Sequence, residues 1–391
     1  MGRSVRRPAS VRPRRTWGEM ISLRTLAPVV QAQIVGGAQA HVTVPDRGDV
    51  HVGACAFLSP HCDPLSSAPP SAPAPPASGD GPKDGSSGGS STDWSIGELL
   101  RWTQARFGER GIVDARLDAE HLLAHALGCS RMTLYTEHDR PVDDEPRARF
   151  REFVRRRLGR EPVAHIEGKR GFHALGLELE VDRRVLVPRP ETEHLVDWLL
   201  EDLAAIEAPR VVDVGTGSGA IALAVKHARA DVDVVAVDVS DDALAVASAN
   251  AVRLGALVRM LRSDLLDAVQ TPTGGWSAIA ANLPYIPSAV IETLDPEVRM
   301  FEPRLALDGG EDGLVLIRRL LDAVVDRAAL AEGGAVYLEV GFDQARAVAA
   351  MAEARGLVAA IRNDYAGIGR IVRARSRPVD GPAVPVDAPD A

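Results

Sequence analysis

The stretch Val211–Leu223, VVDVGTGSGAIAL, constrains the fold more than any other. A short apolar strand carrying one acid runs into glycines at alternate positions and then directly into an apolar helix. Glycines there let the backbone turn tightly and let a ligand approach it closely, which is how a parallel β–α–β unit opens. The same alternation continues along the chain. After RVVDVG, strands are expected at DVVAVDV, VRMLRSD, WSAIAAN, GAVYLEVG, GLVAAIRND and GRIVRARS. Helices are expected from Ser218, from Asp241 to Leu254 behind a Ser240 cap, at 313–329 and at 343–355. That order predicts an α/β fold with a doubly wound, mainly parallel sheet and helices on both faces. The last two strands, joined by the short turn YAGI, predict an antiparallel closing hairpin.

Upstream the texture differs. SIGELLRWTQARFGERG has the Ser95 to Glu98 spacing of a capping box, with Ile96, Leu99, Leu100 and Phe107 on one side and Gly111 as a stop. Further helices are expected at LDAEHLLAHALG and EPRARFREFVRRRLGRE, the latter with Phe150, Phe153, Val154 and Leu158 on one face. Residues 93–165 are thus expected to form a small helical domain. The arginines of its last helix form either a solvated face or a docking surface for an acidic protein or RNA. Residues 166–192 read as a hairpin connector closed by Pro188-Arg189-Pro190, and residues 193–376 as the α/β domain.

Residues 1–92 form an arginine-rich start followed by a proline, glycine and serine tract, and residues 377–391 are rich in proline and acid, so both are expected to be disordered. Within the leader, His51, Cys55, His61 and Cys62 match no standard zinc-ligand spacing, and no metal is expected. With three cysteines and no run of eighteen apolar residues, the chain reads as a cytoplasmic protein without a membrane span. A net charge of −9 argues against a nucleic-acid partner. A monomer is expected.

Three acids fall at successive strand ends, where open sheets bind ligands: Asp213, Asp238 and Asp264. The glycine spacing is G-x-G-x-G rather than the G-x-G-x-x-G of dinucleotide sites, which argues against a pyrophosphate and against a dehydrogenase. Carboxylates at such a site suit a cationic ligand with ribose hydroxyls, and S-adenosylmethionine is one.

The fourth strand ends in Asn282-Leu283-Pro284-Tyr285. An amide or aromatic amine is a poor nucleophile, and two acceptors aimed at its two hydrogens orient it. The Asn282 side-chain oxygen and the Leu283 carbonyl can be those acceptors, Pro284 stiffens the turn, and Tyr285 offers a flat face to cover the target.

Taken with EPVAHIEGKRGF, VPRPETE, VVDVGTGSGAIAL, NLPYI and EPRLALDGGEDGL in that order, the chain from 93 to about 375 resembles the release factor glutamine methyltransferase family. The resemblance implies a Rossmann-like, seven-stranded class I methyltransferase domain behind a helical substrate-docking domain. It implies that S-adenosylmethionine is held by Gly215, Thr216, Gly217, Ser218, Gly219 and Asp238, with Leu265 beside Asp264 toward the adenine and with Asp213 and Asn282 also in the cofactor site. It implies that Asn282, Leu283, Pro284 and Tyr285 hold the substrate, the glutamine of the Gly-Gly-Gln loop of peptide chain release factors. The family usually has proline where this chain has Leu283. That departure resembles adenine N6-methyltransferases acting on ribosomal RNA or DNA, the alternative reading.

Overall fold

The computed structural model describes residues 94–377. The leader, its His51, Cys55, His61 and Cys62 group, and the tail from residue 378 lie outside the described residues.

The chain begins with five helices: α1 (Ile96–Glu109), α2 (Ala115–Leu127), α3 (Arg131–Thr136), α4 (Asp144–Leu158) and α5 (Val163–Glu167). The expected capping box is formed, with Ser95 Oγ accepting from the Glu98 amide and Glu98 accepting from the Ser95 amide at 2.8 Å. Ile96, Leu99, Phe107, Leu122, Leu123, Leu134, Phe150 and Val154 make one buried cluster, so this part of the chain has its own core.

The arginines of α4 divide, with Arg149, Arg151 and Arg155 on a solvated face and Arg156 and Arg157 turned inward. Arg156 donates twice to Glu161, and Arg155 pairs with Glu152. Arg157, only 7% exposed, donates to Asp118 at 2.7 Å and to Glu297 at 2.9 Å, and Arg160 reaches the same Glu297 at 3.0 Å. Glu297 belongs to a later short helix, so the row acts as a latch between the helical part and the α/β part.

Strands β1 (Lys169–Phe172) and β2 (Leu177–Glu180) pair antiparallel as the connector hairpin. The connector is shorter than its expected span, because α5 runs to Glu167 and α6 (Pro190–Leu203) already starts at Pro190. A proline at the first helical turn loses no hydrogen bond, since the amide there has no partner within the helix.

The remaining elements are β3 (Arg210–Val214), α7 (Ala220–Ala228), β4 (Asp233–Asp238), α8 (Asp241–Leu254), β5 (Arg259–Arg262), β6 (Trp276–Ala281), α9 (Pro296–Phe301), α10 (Val315–Asp326), β7 (Leu330–Glu339), α11 (Ala345–Ala354), β8 (Val358–Asn363) and β9 (Gly369–Arg375). The sheet has seven strands in the order β5-β4-β3-β6-β7-β9-β8. All neighbours are parallel except β9, which runs antiparallel to β7 and β8.

Side chains alternate across β3. Val212 and Val214 join the core under α10 and α11, while Val211 joins that under α6 and α7. Because β3 is followed by β4 on one side and has β6 on the other, the strand order reverses there. A crevice at the carboxyl ends of β3 and β6 is the geometric result.

Candidate active site

The chain leaves β3 through Gly215, Gly217 and Gly219, with φ of +74°, +56° and +88°. A Cβ on Gly219 would lie 2.8 Å from Leu223 Cδ1, and one on Gly215 would lie 3.1 Å from Leu283 Cδ2. The turn therefore disfavours side chains by conformation at all three glycines and by space at Gly215 and Gly219.

Asp213 braces this turn from behind. Its Oδ2 accepts from Thr216 Oγ1 at 2.7 Å and from the Ala222 amide at 3.1 Å, while Oδ1 has no partner. Complete burial pushes its carboxyl up to about 7, more than those two donors offset.

In front of the turn lies a cavity of about 310 Å³, within the range of small-molecule sites. Gly215, Thr216, Gly217, Ser218, Asp238, Asp264, Leu265, Asn282, Leu283 and Pro284 all line it. Asp213, Gly219 and Tyr285 are not among its walls. Of the three strand-end acids, Asp238 faces the cavity with each oxygen accepting one backbone amide, from Gly217 and Ser240, both at 2.9 Å. Each oxygen retains a second lone pair for a ligand. Asp264 also lines the cavity, with its Oδ2 paired to Arg319 at 2.9 Å. Leu265 holds a φ of +49°, a conformation that costs a branched side chain about 1–3 kcal/mol and is typical of functional loops.

The strand-end turn after β6 is held from several directions. Leu283 is 4% exposed and packs in the core against the glycine turn. The segment 307–313 lies along the backbone that follows it. Ile286 donates to Leu307 O at 3.1 Å, and the Gly309 amide donates to Ile286 O at 2.9 Å. A Cβ on Gly313 would stand 2.3 Å from Tyr285 O and one on Gly309 2.7 Å from Pro284 O, so these two glycines of DGGEDGL are there for contact with NLPYI. Gln344 donates to the same carbonyl at 2.9 Å.

Tyr285 is half-buried. Its phenol is turned toward Glu339, 3.5 Å from Oε1, and burial pushes it well above the usual phenol range. Asn282 donates its Nδ2 to Thr192 Oγ1 at 3.1 Å, and Thr192 donates in turn to Glu339 Oε2 at 2.5 Å. Glu339, 1% exposed, is raised to about 7 by burial, with the Thr192 hydroxyl only partly opposing that shift.

Thr192, Arg319, Gln344 and Glu339 escaped the sequence reading. Glu339 carried a usable signal, since it too is an acid at the carboxyl end of a strand.

Residues 98–168 match the PrmC N-terminal domain, and residues 193–291 match the methyltransferase small domain. The chain is 42% identical over 289 residues to a release factor glutamine methyltransferase from Rhodopirellula baltica, an alignment covering 72% of this chain and 96% of that protein. The chain belongs to the release factor glutamine methyltransferase family. A second member, from Geobacter sulfurreducens, is 40% identical over 72% of this chain and 97% of its own length. Among solved structures, a ribosomal protein L11 methylase from Lactobacillus delbrueckii subsp. bulgaricus is similar at 21% identity, with a TM-score of 0.35 over 49% of this chain and 80% of its own. The alignments to the family members leave the extra length of this chain outside the matched region. No helix among the described residues is long and apolar enough to cross a membrane.

Proposed function

We propose that this enzyme methylates the side-chain amide nitrogen of the glutamine in the Gly-Gly-Gln loop of peptide chain release factors, using S-adenosylmethionine. The observation that carries this reading is the orientation of Asn282, whose amide nitrogen is turned away to Thr192 while its side chain borders a cavity walled by a glycine turn. A cofactor of that kind fits the residues present. Gly217 lines the cavity and a Cβ there would stand in open space, and Asp238 keeps acceptor capacity for ribose hydroxyls. Gly215, Thr216, Gly217, Ser218, Asp238 and Leu265 would hold it, and Asp264 would act at the rim beside its Arg319 partner.

When bound, S-adenosylmethionine supplies the methyl group on a sulfonium. The chain's own part is to orient the nucleophile. Asn282 Oδ1 accepts one hydrogen of the substrate amide and the Leu283 carbonyl accepts the other, which directs the nitrogen lone pair into the cavity. Leucine serves here as proline would, because the acceptor is a backbone atom. Pro284 restrains the turn, and Tyr285, its hydroxyl directed toward Glu339, offers its ring face to the target.

In this reading residues 93–165 dock the release factor and residues 193–376 carry the chemistry. On the same reading the enzyme acts as a cytoplasmic monomer with no nucleic-acid partner.

The test is to incubate the purified protein with methyl-labelled cofactor, a release factor and ribosomal RNA together. Label in the release factor is expected. Label confined to RNA would overturn the proposal in favour of adenine methylation.

A further inference from the structure

We infer that Thr192 and Glu339 are positioning residues which fix the polarity of the Asn282 amide, so that its oxygen rather than its nitrogen faces the substrate. The inference rests on the reading of Asn282 as an acceptor for the substrate amide.

An asparagine side chain is nearly symmetric in shape, and a half-turn about its last bond exchanges an acceptor for a donor at the same place. A site that must accept a hydrogen from an amide is spoiled by that half-turn. Something has to make the two orientations unequal, and packing cannot do it, since oxygen and NH₂ are nearly the same size.

The structure supplies a directional chain of hydrogen bonds instead. Glu339 at the end of β7 is buried, and its Oε2 lies 2.5 Å from Thr192 Oγ1 on the first turn of α6. Once ionised, above its raised titration point of about 7, Glu339 is acceptor only, so the single hydroxyl hydrogen of Thr192 is then committed to it. Thr192 Oγ1 is then left with lone pairs alone toward Asn282. It can take a hydrogen from Nδ2, as observed at 3.1 Å, and has nothing to offer Oδ1. The flipped amide would set oxygen against oxygen there.

Among the described residues no side-chain or backbone donor reaches Asn282 Oδ1, so this acceptor is left for the substrate. Thr192 is itself 3% exposed and its hydroxyl has only these two neighbours, which makes a solvating role for it unnecessary. The three residues come from β7, α6 and the loop after β6, so the chain runs across the end of the sheet and not along one segment.

The test compares Thr192→Val, which keeps shape and removes the hydroxyl, with Thr192→Ser, which keeps the hydroxyl. Thr192→Val should lower kcat for a release factor by about 10–100-fold with little change in KM, the scale on which a group that orients a catalytic ligand matters. Thr192→Ser should restore most of the rate. The Asn282 side-chain amide protons, followed by NMR, should exchange slowly with solvent in the parent and in Thr192→Ser but quickly in Thr192→Val.

Added to an Asn282→Ala background, Thr192→Val should cost no further activity, because there is no amide left to orient. Full activity in Thr192→Val, or an equal further loss without Asn282, would overturn the relay while leaving the acceptor role of Asn282 standing. Full activity in Asn282→Ala would instead remove the acceptor reading itself, and the relay with it.

Discussion

Asn282 follows β6 and Asp238 closes β4, so the two side chains reach the cavity from opposite sides of β3 and their removal separates two readouts. Asn282→Ala deletes the only acceptor drawn from a side chain. Single-turnover transfer at saturating cofactor should fall by about 10²–10³, as when one preorganised hydrogen-bonding group is lost, with cofactor affinity unchanged. Asp238→Ala removes the carboxylate that keeps lone pairs toward the cavity and also frees the Gly217 and Ser240 amides. S-adenosylmethionine binding, followed by calorimetric titration, should weaken by about 1–3 kcal/mol. Unchanged affinity would remove Asp238 from the cofactor site. Glu339 and Asp213, both raised to about 7, make a prediction about pH. Unfolded carboxyls titrate near about 4, so between about pH 4 and 7 the folded protein holds protons the unfolded chain has lost. Their contribution is fully present below that window and disappears as pH rises through about 7. Urea midpoints should therefore decline from about pH 5 to 7 in the parent and decline less in Glu339→Gln, which has one such group fewer. Equal slopes would mean that Glu339 is ionised at its ordinary value.

Elements differ in how plainly the sequence announces them. The strands around VVDVG, DVVAVD and WSAIAA are continuous apolar runs bounded by glycine or acid, and each lies where expected. Capped helices such as α1 and α8 were equally plain, with Ser95 and Ser240 accepting from amides of the first turn. The helices α3, α5 and α9 were not, because five or six residues span too few turns for a 3.6-residue period to show. The arginines of α4 were ambiguous for another reason. Their partner Glu297 is distant in sequence, and a charge row gives no sign of a partner that only the fold supplies. Arg157→Ala leaves Asp118 and Glu297 with less compensation in a place where the side chains are 14% and 20% exposed. It should destabilise the protein by about 2–4 kcal/mol, read from denaturant midpoints, somewhat below the cost of breaking a fully buried pair. A loss of a few tenths would place the latch among ordinary surface ion pairs.

At the scale of the whole molecule, the reversal of strand order beside β3 is what brings glycine turn, Asp238 and NLPY to one cavity, and the alternating sequence already implied it. The network behind the cavity was not legible, since Thr192 reads locally as part of a helix start and Glu339 as a strand end. Only their meeting across the sheet end gives either a role toward Asn282. The direction of Tyr285 was not legible for a similar reason: an aromatic after a proline signals a ring but not where its hydroxyl points, and here the phenol turns toward Glu339. In the proposed function these parts together serve methylation of one glutamine amide. Fragment mass spectrometry of a release factor after complete reaction tests it most directly. A single methyl group on the side-chain nitrogen of the Gly-Gly-Gln glutamine is the result expected, and a methyl group on any other atom, or none on the release factor at all, would contradict it.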